Sequence, residues 1–85
     1  MRAFTEADLT NIVREAAGED DGVLEGDVLD TTFADLGYDS LAMFEIVNKI
    51  SRDFGVPLGD VLADAGLTYR EMLDTVTEAL AAVAA

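Results

Sequence analysis

The 85-residue sequence contains no cysteine and no histidine, which removes several kinds of chemistry at once. A chain without cysteine forms no disulfide, and a chain without either residue lacks the common ligands of zinc. It also lacks the base or nucleophile that serine- and cysteine-dependent catalytic triads require. We therefore expect no catalytic activity from the chain's own side chains, and no metal centre.

Basic residues are scarce: five Lys and Arg face 18 Asp and Glu, which leaves a formal net charge of −13. Such a surface repels polyanions, so we expect neither nucleic acid nor a membrane as a partner, whereas proteins with basic patches fit well. Residues 19–39 hold eight acids and no base. A run of this kind is typical of a solvated loop, and it would also steer basic partners toward the residues that follow it.

Long hydrophobic runs are absent as well. No segment is long and apolar enough to span a bilayer, and residues 1–6 lack the apolar region of a signal peptide. Apolar residues make up 51% of the chain, which suffices for one compact core, and the length leaves no room for a second. We expect a single domain over residues 1–85, monomeric and cytoplasmic.

Two capping boxes mark the first and the last helix. Thr5 with Asp8 begins the first helix, which Gly18 ends, and Thr68 with Glu71 begins the last. In each helix, apolar residues recur at helical spacing and predict one buried stripe. The stripes are Leu9, Ile12, Val13, Ala16 and Ala17 in the first helix, and Met72, Leu73, Val76, Ala79, Leu80 and Val83 in the last.

A second helix is predicted from Ser40 to about Phe54, with Asp39 as its N-cap and Gly55 as its stop. On a helical wheel, one side collects Met43, Phe44, Ile46, Val47, Ile50 and Phe54. Leu41 falls on the opposite side, with the polar residues Glu45, Asn48 and Arg52. A single exposed leucine is common, but its position next to Ser40 makes Leu41 a candidate contact for a partner protein.

A long connection over residues 19–39 joins the first two helices. Its apolar residues predict that it is fixed to the core: Val23, Leu24, Val28, Leu29, Phe33 and Leu36. We expect one helical turn near residues 32–35 and a short helix over residues 59–64. The predicted fold is all-α, a small four-helix bundle of three main helices and one short helix, with a long loop between the first two helices.

The acidic loop does not have the ligand spacing of an EF-hand calcium site. Such a site needs carboxylates at loop positions one, three and five. Counting from Asp20 places Gly22 and Leu24 at the third and fifth positions, and counting from Asp21 places Val23 at the third. Neither frame fits, so a dedicated calcium site is not predicted.

Residues 36–42 read Leu-Gly-Tyr-Asp-Ser-Leu-Ala and place Ser40 at the start of the second helix, behind the acidic loop. A hydroxyl at this position is accessible to solvent, and the partial positive charge of a helix N-terminus favours a phosphate. Asp followed by Ser is also ordinary helix-start chemistry, so the dipeptide alone is a weak signal. Its setting in a short, acidic, all-helical chain makes Ser40 the candidate point for attaching a reactive group.

This segment resembles the one with which acyl carrier proteins accept a 4′-phosphopantetheine arm, and its form is most similar to the discrete carriers of type II polyketide synthases. The resemblance covers nearly the whole chain in length, helix order and loop lengths. It implies that Ser40 carries the arm as a phosphodiester and that Asp39 is the flanking acid presented to the modifying enzyme and its metal. The implied partner contacts are Leu41, Phe44, Glu45 and Asn48.

The implied function is to hold malonyl and polyketide intermediates as thioesters on the arm and to deliver them to the enzymes of a synthase. The implied partners are a phosphopantetheinyl transferase, a ketosynthase with its chain-length factor, a malonyl transferase, a ketoreductase and cyclases. Carriers of fatty acid synthesis often have a strongly acidic second helix, whereas residues 40–54 here hold two acids and two bases. A fatty acid or peptidyl carrier, and a non-covalent acidic interaction module, stay open as alternatives.

Overall fold

The computed structural model describes residues 4–18, 24, 26–59 and 63–84, and the chain forms three helices in these ranges. In chain order they are α1 (Glu6–Ala17), α2 (Ser40–Phe54) and α3 (Tyr69–Ala84). The same ranges contain no strand, only an isolated antiparallel bridge between Thr32 and Thr68. No helix among them is long and apolar enough to cross a membrane. The all-α prediction is confirmed.

The ends of α1 lie where they were predicted because both are capped. The Oγ1 of Thr5 accepts the Asp8 N–H at 3.2 Å, and the Thr5 N–H donates to Asp8 Oδ2 at 3.0 Å. These bonds satisfy amides that have no acceptor within the helix. At the other end Gly18, at φ 82°, donates its N–H to the Arg14 carbonyl at 3.1 Å.

The predicted capping box also begins α3. The Thr68 N–H donates to Glu71 Oε1 at 2.8 Å, and the Glu71 N–H donates to Thr68 Oγ1 at 3.1 Å. The first residue of α3, Tyr69, is fully buried, and its hydroxyl lies 2.8 Å from the Thr10 Oγ1 of α1. This hydrogen bond satisfies a polar group inside the core and joins α3 to α1.

One apolar core joins the three helices to the connection. Most residues predicted to face it are buried or half-buried, but the prediction was wrong for Phe44 and Val83, which are 44% and 55% exposed. Phe44 follows Met43 and so lies about 100° around α2 from it, at the edge of the buried arc. Val83 lies in the last turn of α3, beyond Val76, which is the last buried residue among residues 69–83.

The connection between α1 and α2 is fixed to this core, as its apolar residues predicted. Leu24, Val28 and Phe33 are buried, while Leu29 and Leu36 are half-buried and pack against the core. A hydrogen-bonded turn occupies residues 32–37, close to the helical turn predicted at residues 32–35. The predicted contribution of Val23 lies outside the described residues.

Backbone pairing between the connection and the start of α3 was not predicted. Four hydrogen bonds of 2.8–3.1 Å join residues 29–34 to residues 65–70. Arg70 adds an ion pair, its Nε lying 3.0 Å from Asp30 Oδ1. The long connection is therefore held along its length rather than only at its ends.

The short helix predicted over residues 59–64 is not confirmed. Residues 60–62 lie outside the described residues, and Gly59, Ala63 and Asp64 on either side of them are not helical.

The buried Tyr69 is expected to make the fold less stable at alkaline pH. Burial raises the pKa of Tyr69 from 10.0 to about 12, because the phenolate is poorly solvated in the core, while the bond to Thr10 opposes the rise. The folded pKa exceeds the unfolded one, so this stabilisation is complete below pH 10 and is lost as the pH rises toward 12. We expect the free energy of unfolding to fall by about 2 kcal/mol over that window, measured by urea denaturation.

The matched control for this prediction is Tyr69→Phe, which keeps the buried ring and removes the titrating group. Its unfolding free energy should lose the part of the alkaline slope that belongs to Tyr69. An identical slope in both proteins would contradict the assignment.

Candidate functional site

The start of α2 places Ser40 at the surface. Asp39 has extended backbone; its Oδ1 accepts the Ala42 N–H at 2.9 Å, and its carbonyl accepts the Met43 N–H at 3.0 Å. Asp39 is therefore the N-cap, as predicted, and it fixes where the helix begins. Ser40 is the first residue of α2 and is exposed, and its hydroxyl makes no hydrogen bond to any residue that the structure describes.

Tyr38 anchors the segment that leads into Ser40. Its ring is buried, its hydroxyl donates to the Gly18 carbonyl at 2.8 Å, and its N–H donates to the Phe33 carbonyl at 3.0 Å. The rings of Phe33 and Tyr38 meet edge-on, with centroids 6.3 Å apart. The end of α1, the connection and the start of α2 are thus held together next to Ser40. The sequence analysis did not predict this anchoring role of Tyr38. The one feature that could have indicated it is that an aromatic residue directly precedes the N-cap Asp39.

The electrostatics at Ser40 favour an attached anion. The first-turn N–H groups of Ser40 and Leu41 have no acceptor within the helix, and they carry the positive end of the helix dipole. The first turn of α2 contains no acidic residue, and the N-cap carboxylate of Asp39, which bonds the Ala42 N–H, offsets part of this charge. A phosphate ester on the Ser40 Oγ would therefore lie where a helix N-terminus stabilises negative charge, so the site fits such a group.

A cleft of about 230 Å³ adjoins the start of α2. It is lined by Ala17, Gly18, Leu36, Gly37, Tyr38, Asp39 and Ala42. Its ionisable lining residues are Tyr38, whose hydroxyl is already bonded to Gly18, and Asp39, whose carboxylate caps α2. The described lining residues thus include no nucleophile paired with a base. Across the described ranges, no group of three or more acids converges on a metal site.

The residues predicted to contact partners lie on one exposed face of α2. Together with Arg52 they form what we call the α2 stripe, made of Leu41, Phe44, Glu45, Asn48 and Arg52, all of which are exposed. At 3.6 residues per turn they fall within an arc of about 100°. Leu41 is 70% exposed and stands next to Ser40, so the stripe begins at the candidate attachment point.

Lys49 lies beside the α2 stripe and is held by two acids. Its Nζ is 3.1 Å from Asp53 Oδ2 and 3.1 Å from Glu15 Oε2, and its side chain is only 20% exposed. Hydrogen bonds to Asp53 and Glu15 raise the pKa of Lys49 above its ordinary value. The spacing of Lys49 and Asp53 could have predicted one of these pairs. The pair with Glu15 of α1 depends on how the two helices pack.

A small acidic helical chain that presents an exposed serine at a helix N-terminus, with no side chain of the described residues bonded to its hydroxyl, has the properties expected of a carrier protein. Comparison with known proteins agrees. Residues 7–76, which include Ser40, match the family model described as a phosphopantetheine attachment site.

The relatives are carriers of polyketide synthases. The chain is 51% identical to the monensin polyketide synthase acyl carrier protein of Streptomyces virginiae, over 95% of this chain and 92% of that protein. It is 48% identical to the granaticin polyketide synthase acyl carrier protein of Streptomyces violaceoruber, over 99% and 100%. A solution structure of 3-oxo-butyl-ACP from the actinorhodin polyketide synthase of Streptomyces coelicolor superposes with a TM-score of 0.83, at 43% identity and 95% coverage of both chains.

The chain therefore belongs to the acyl carrier proteins of polyketide synthases, within the phosphopantetheine-attachment family. It is a non-catalytic carrier subunit with a covalently attached 4′-phosphopantetheine, and it works with the enzymes of a synthase.

Proposed function

We propose that Ser40 bears the 4′-phosphopantetheine arm and that the chain, as one carrier domain, presents malonyl and growing polyketide intermediates to a type II synthase. The observation that carries this proposal is the state of the Ser40 hydroxyl. It is exposed, unengaged by any described residue, and located at the N-terminus of α2 inside the matched region.

The second serine of the chain supports this choice by contrast. The sequence has only two serines, Ser40 and Ser51. The Ser51 Oγ donates to the Val56 carbonyl at 2.6 Å and is half-buried, so it helps to close the end of α2. Its hydroxyl is committed to the fold, whereas the hydroxyl of Ser40 is not.

The attachment step uses few groups of this chain. The Ser40 Oγ attacks the phosphorus that links the pantetheine of coenzyme A to its nucleotide; the new bond is Ser40 Oγ to phosphorus, and the nucleotide leaves as adenosine 3′,5′-bisphosphate. The hydroxyl proton is passed to a general base in the complex with the transferase. Asp39 uses Oδ1 to cap α2, which leaves Oδ2 to face the transferase and its metal ion.

When attached, the arm supplies the thiol that the sequence lacks, and acyl groups are held on it as thioesters. The chain's own contribution is to tether, because a tethered acyl group reaches each active site at high effective concentration. The exposed position of Ser40 suits this task, since the arm must enter many partners. The net charge of −13 adds long-range attraction to basic enzyme surfaces without requiring a tight interface.

The proposed partners are the phosphopantetheinyl transferase, the ketosynthase with its chain-length factor, the malonyl transferase, the ketoreductase and the cyclases. The support is the polyketide setting of the relatives together with the strongly acidic surface. A monomeric state and a cytoplasmic location stay predictions.

The experiment that tests the attachment site is mass spectrometry after incubation with coenzyme A, magnesium and a broad-specificity phosphopantetheinyl transferase. We expect the intact mass to rise by one arm. Trypsin cleaves after Arg14 and Lys49, so residues 15–49 carry Ser40 while Ser51 falls in a separate peptide. The arm should be found on the peptide of residues 15–49 and fragment to Ser40. A folded protein that gains no mass, or gains it at another residue, would refute the proposal.

The exposed Leu41 should contribute to partner binding through its position beside the arm. Leu41→Ala removes an apolar side chain that a partner would cover, and we expect the kcat/KM of arm attachment to fall about tenfold. The matched control is Val83→Ala, which truncates another exposed apolar residue, on α3. Equal rates for the two variants would show that Leu41 is an ordinary surface residue.

A further inference from the structure

The charged residues of the α2 stripe differ from the described basic residues Lys49 and Arg70 in that they form no ion pair within the described residues. Two described basic residues outside the stripe are neutralised by acids, Lys49 by Glu15 and Asp53, and Arg70 by Asp30. Arg52 forms no ion pair with any residue of the described ranges, and it is exposed. A chain with 18 acids and five bases thus leaves a cation uncompensated on the very face that begins at Ser40.

The second charge of the stripe has the opposite sign. Glu45 is exposed and forms no ion pair within the described residues. It precedes Arg52 by seven residues, which is about 10 Å along the axis of α2. The stripe therefore has an anion at the end nearer Ser40 and a cation at the far end. Leu41 and Phe44 supply exposed apolar surface at the Ser40 end.

We propose that Glu45 and Arg52 form an orientation signal for docking. The occupant is a synthase enzyme that presents an apolar recess for Leu41 and Phe44 near its active-site entrance, a cation opposite Glu45, and a carboxylate opposite Arg52. This inference rests on the proposed function, since it concerns the same surface from which the Ser40 arm would be delivered.

Long-range attraction and the direction of docking have different physical origins. The net charge of −13 draws the chain toward basic surfaces from any side, but it does not determine which way α2 points when contact is made. A docked pose with α2 reversed places Glu45 against the partner's carboxylate and Arg52 against its cation. Such like-charge contacts are unfavourable, so the reversed pose is disfavoured. Arg52 likewise disfavours partners whose docking surface is uniformly basic.

The decisive variant reverses the direction of the stripe without changing its composition. Glu45→Arg combined with Arg52→Glu leaves the net charge at −13, so long-range attraction is preserved. The control is Asp30→Arg combined with Arg70→Glu, which also preserves the net charge and swaps the ends of an ion pair away from α2. Thermal melting followed by circular dichroism confirms that each protein is folded.

The readout is condensation by a type II ketosynthase and chain-length factor pair, with each carrier converted to its malonyl form. We expect the stripe reversal to lower kcat/KM about tenfold, mainly through KM, and the control to stay within about twofold of the native chain. Raising the ionic strength should shrink the difference, because exposed charges are screened. Replacing the partner's carboxylate with lysine should restore part of the rate to the reversed carrier.

Arm attachment is measured first on every variant, so that a failure of the proposed carrier function can be distinguished from a failure of the proposed orientation signal. If no variant and no native chain accepts an arm at Ser40, the proposed function fails. If all accept it and the carrier with the reversed stripe is condensed as fast as the control, the orientation signal is overturned while the carrier function stands.

A further variant, Arg52→Gln, removes the cation alone and should lower kcat/KM about threefold. No change relative to the native chain would also count against the proposal.

Discussion

Replacing Ser40 with alanine is expected to abolish arm attachment completely and to leave the fold intact. The loss should be complete because Ser51, the other serine, is half-buried and bonded to the Val56 carbonyl, so it offers no substitute hydroxyl. The fold should survive because the Ser40 side chain is exposed and bonds to no described residue, while Asp39 still caps α2. Intact mass after incubation with coenzyme A and the transferase measures attachment, and circular dichroism measures the fold.

The matched control is Ser51→Ala. It should accept the arm as the native chain does, yet lose about 1 kcal/mol of stability because the hydrogen bond to Val56 is removed. The two substitutions are thus expected to have opposite effects: Ser40→Ala abolishes arm attachment and keeps the stability, whereas Ser51→Ala keeps arm attachment and lowers the stability. A mass gain in Ser40→Ala, or no gain in a folded Ser51→Ala, would show that the two roles have been assigned wrongly.

The second large effect is expected at Phe33, in the connection rather than in a helix. Phe33→Ala should lower the free energy of unfolding by about 3–5 kcal/mol, since it removes a fully buried ring and leaves a cavity. The centroid of the ring lies 5.3 Å from that of Tyr69 and 6.3 Å from that of Tyr38, so the connection and α3 lose contacts together. Domains of this size are stable by only about 5–15 kcal/mol, so little stability would be left.

Phe44→Ala is the control, because it makes the same chemical change at an exposed position of α2. Its cost should stay under about 1 kcal/mol. Urea denaturation of both variants and the native chain provides the comparison. Similar losses for the two phenylalanines would mean that the connection does not share the core as described.

Local signals predicted the helix ends well. The capping boxes at Thr5 and Thr68, the cap at Asp39 and the stop at Gly55 depend on residues within a few positions of one another. Such signals are complete in the sequence, because the groups that satisfy a helix terminus come from the terminus itself.

Contacts between distant segments could not be predicted in the same way. The bond from Tyr38 to Gly18 and the backbone pairing of residues 29–34 with residues 65–70 depend on how the elements pack. The exposure of Phe44 has a different origin, because Phe44 lies at the edge of the buried arc of α2 and the helical wheel does not show how far the core reaches. The motif and its helical setting were enough to predict Ser40 as the candidate residue. The way in which Tyr38 anchors the segment leading into Ser40 could be seen only in the three-dimensional structure.

The main-chain pairing of residues 29–34 with residues 65–70 has a consequence for how such a carrier can change over evolution. Backbone hydrogen bonds, together with the buried side chains of Phe33 and Tyr38, set the path that leads to Ser40. The outward-facing Asp35, whose carboxylate forms no hydrogen bond to a described residue, can therefore be exchanged without moving that path, whereas Asp27 accepts the Leu29 N–H and helps to shape it. Mutation can therefore change the surface charge that partner enzymes meet while the proposed attachment serine stays in place, and carriers exchanged between synthases can be redesigned in the same way.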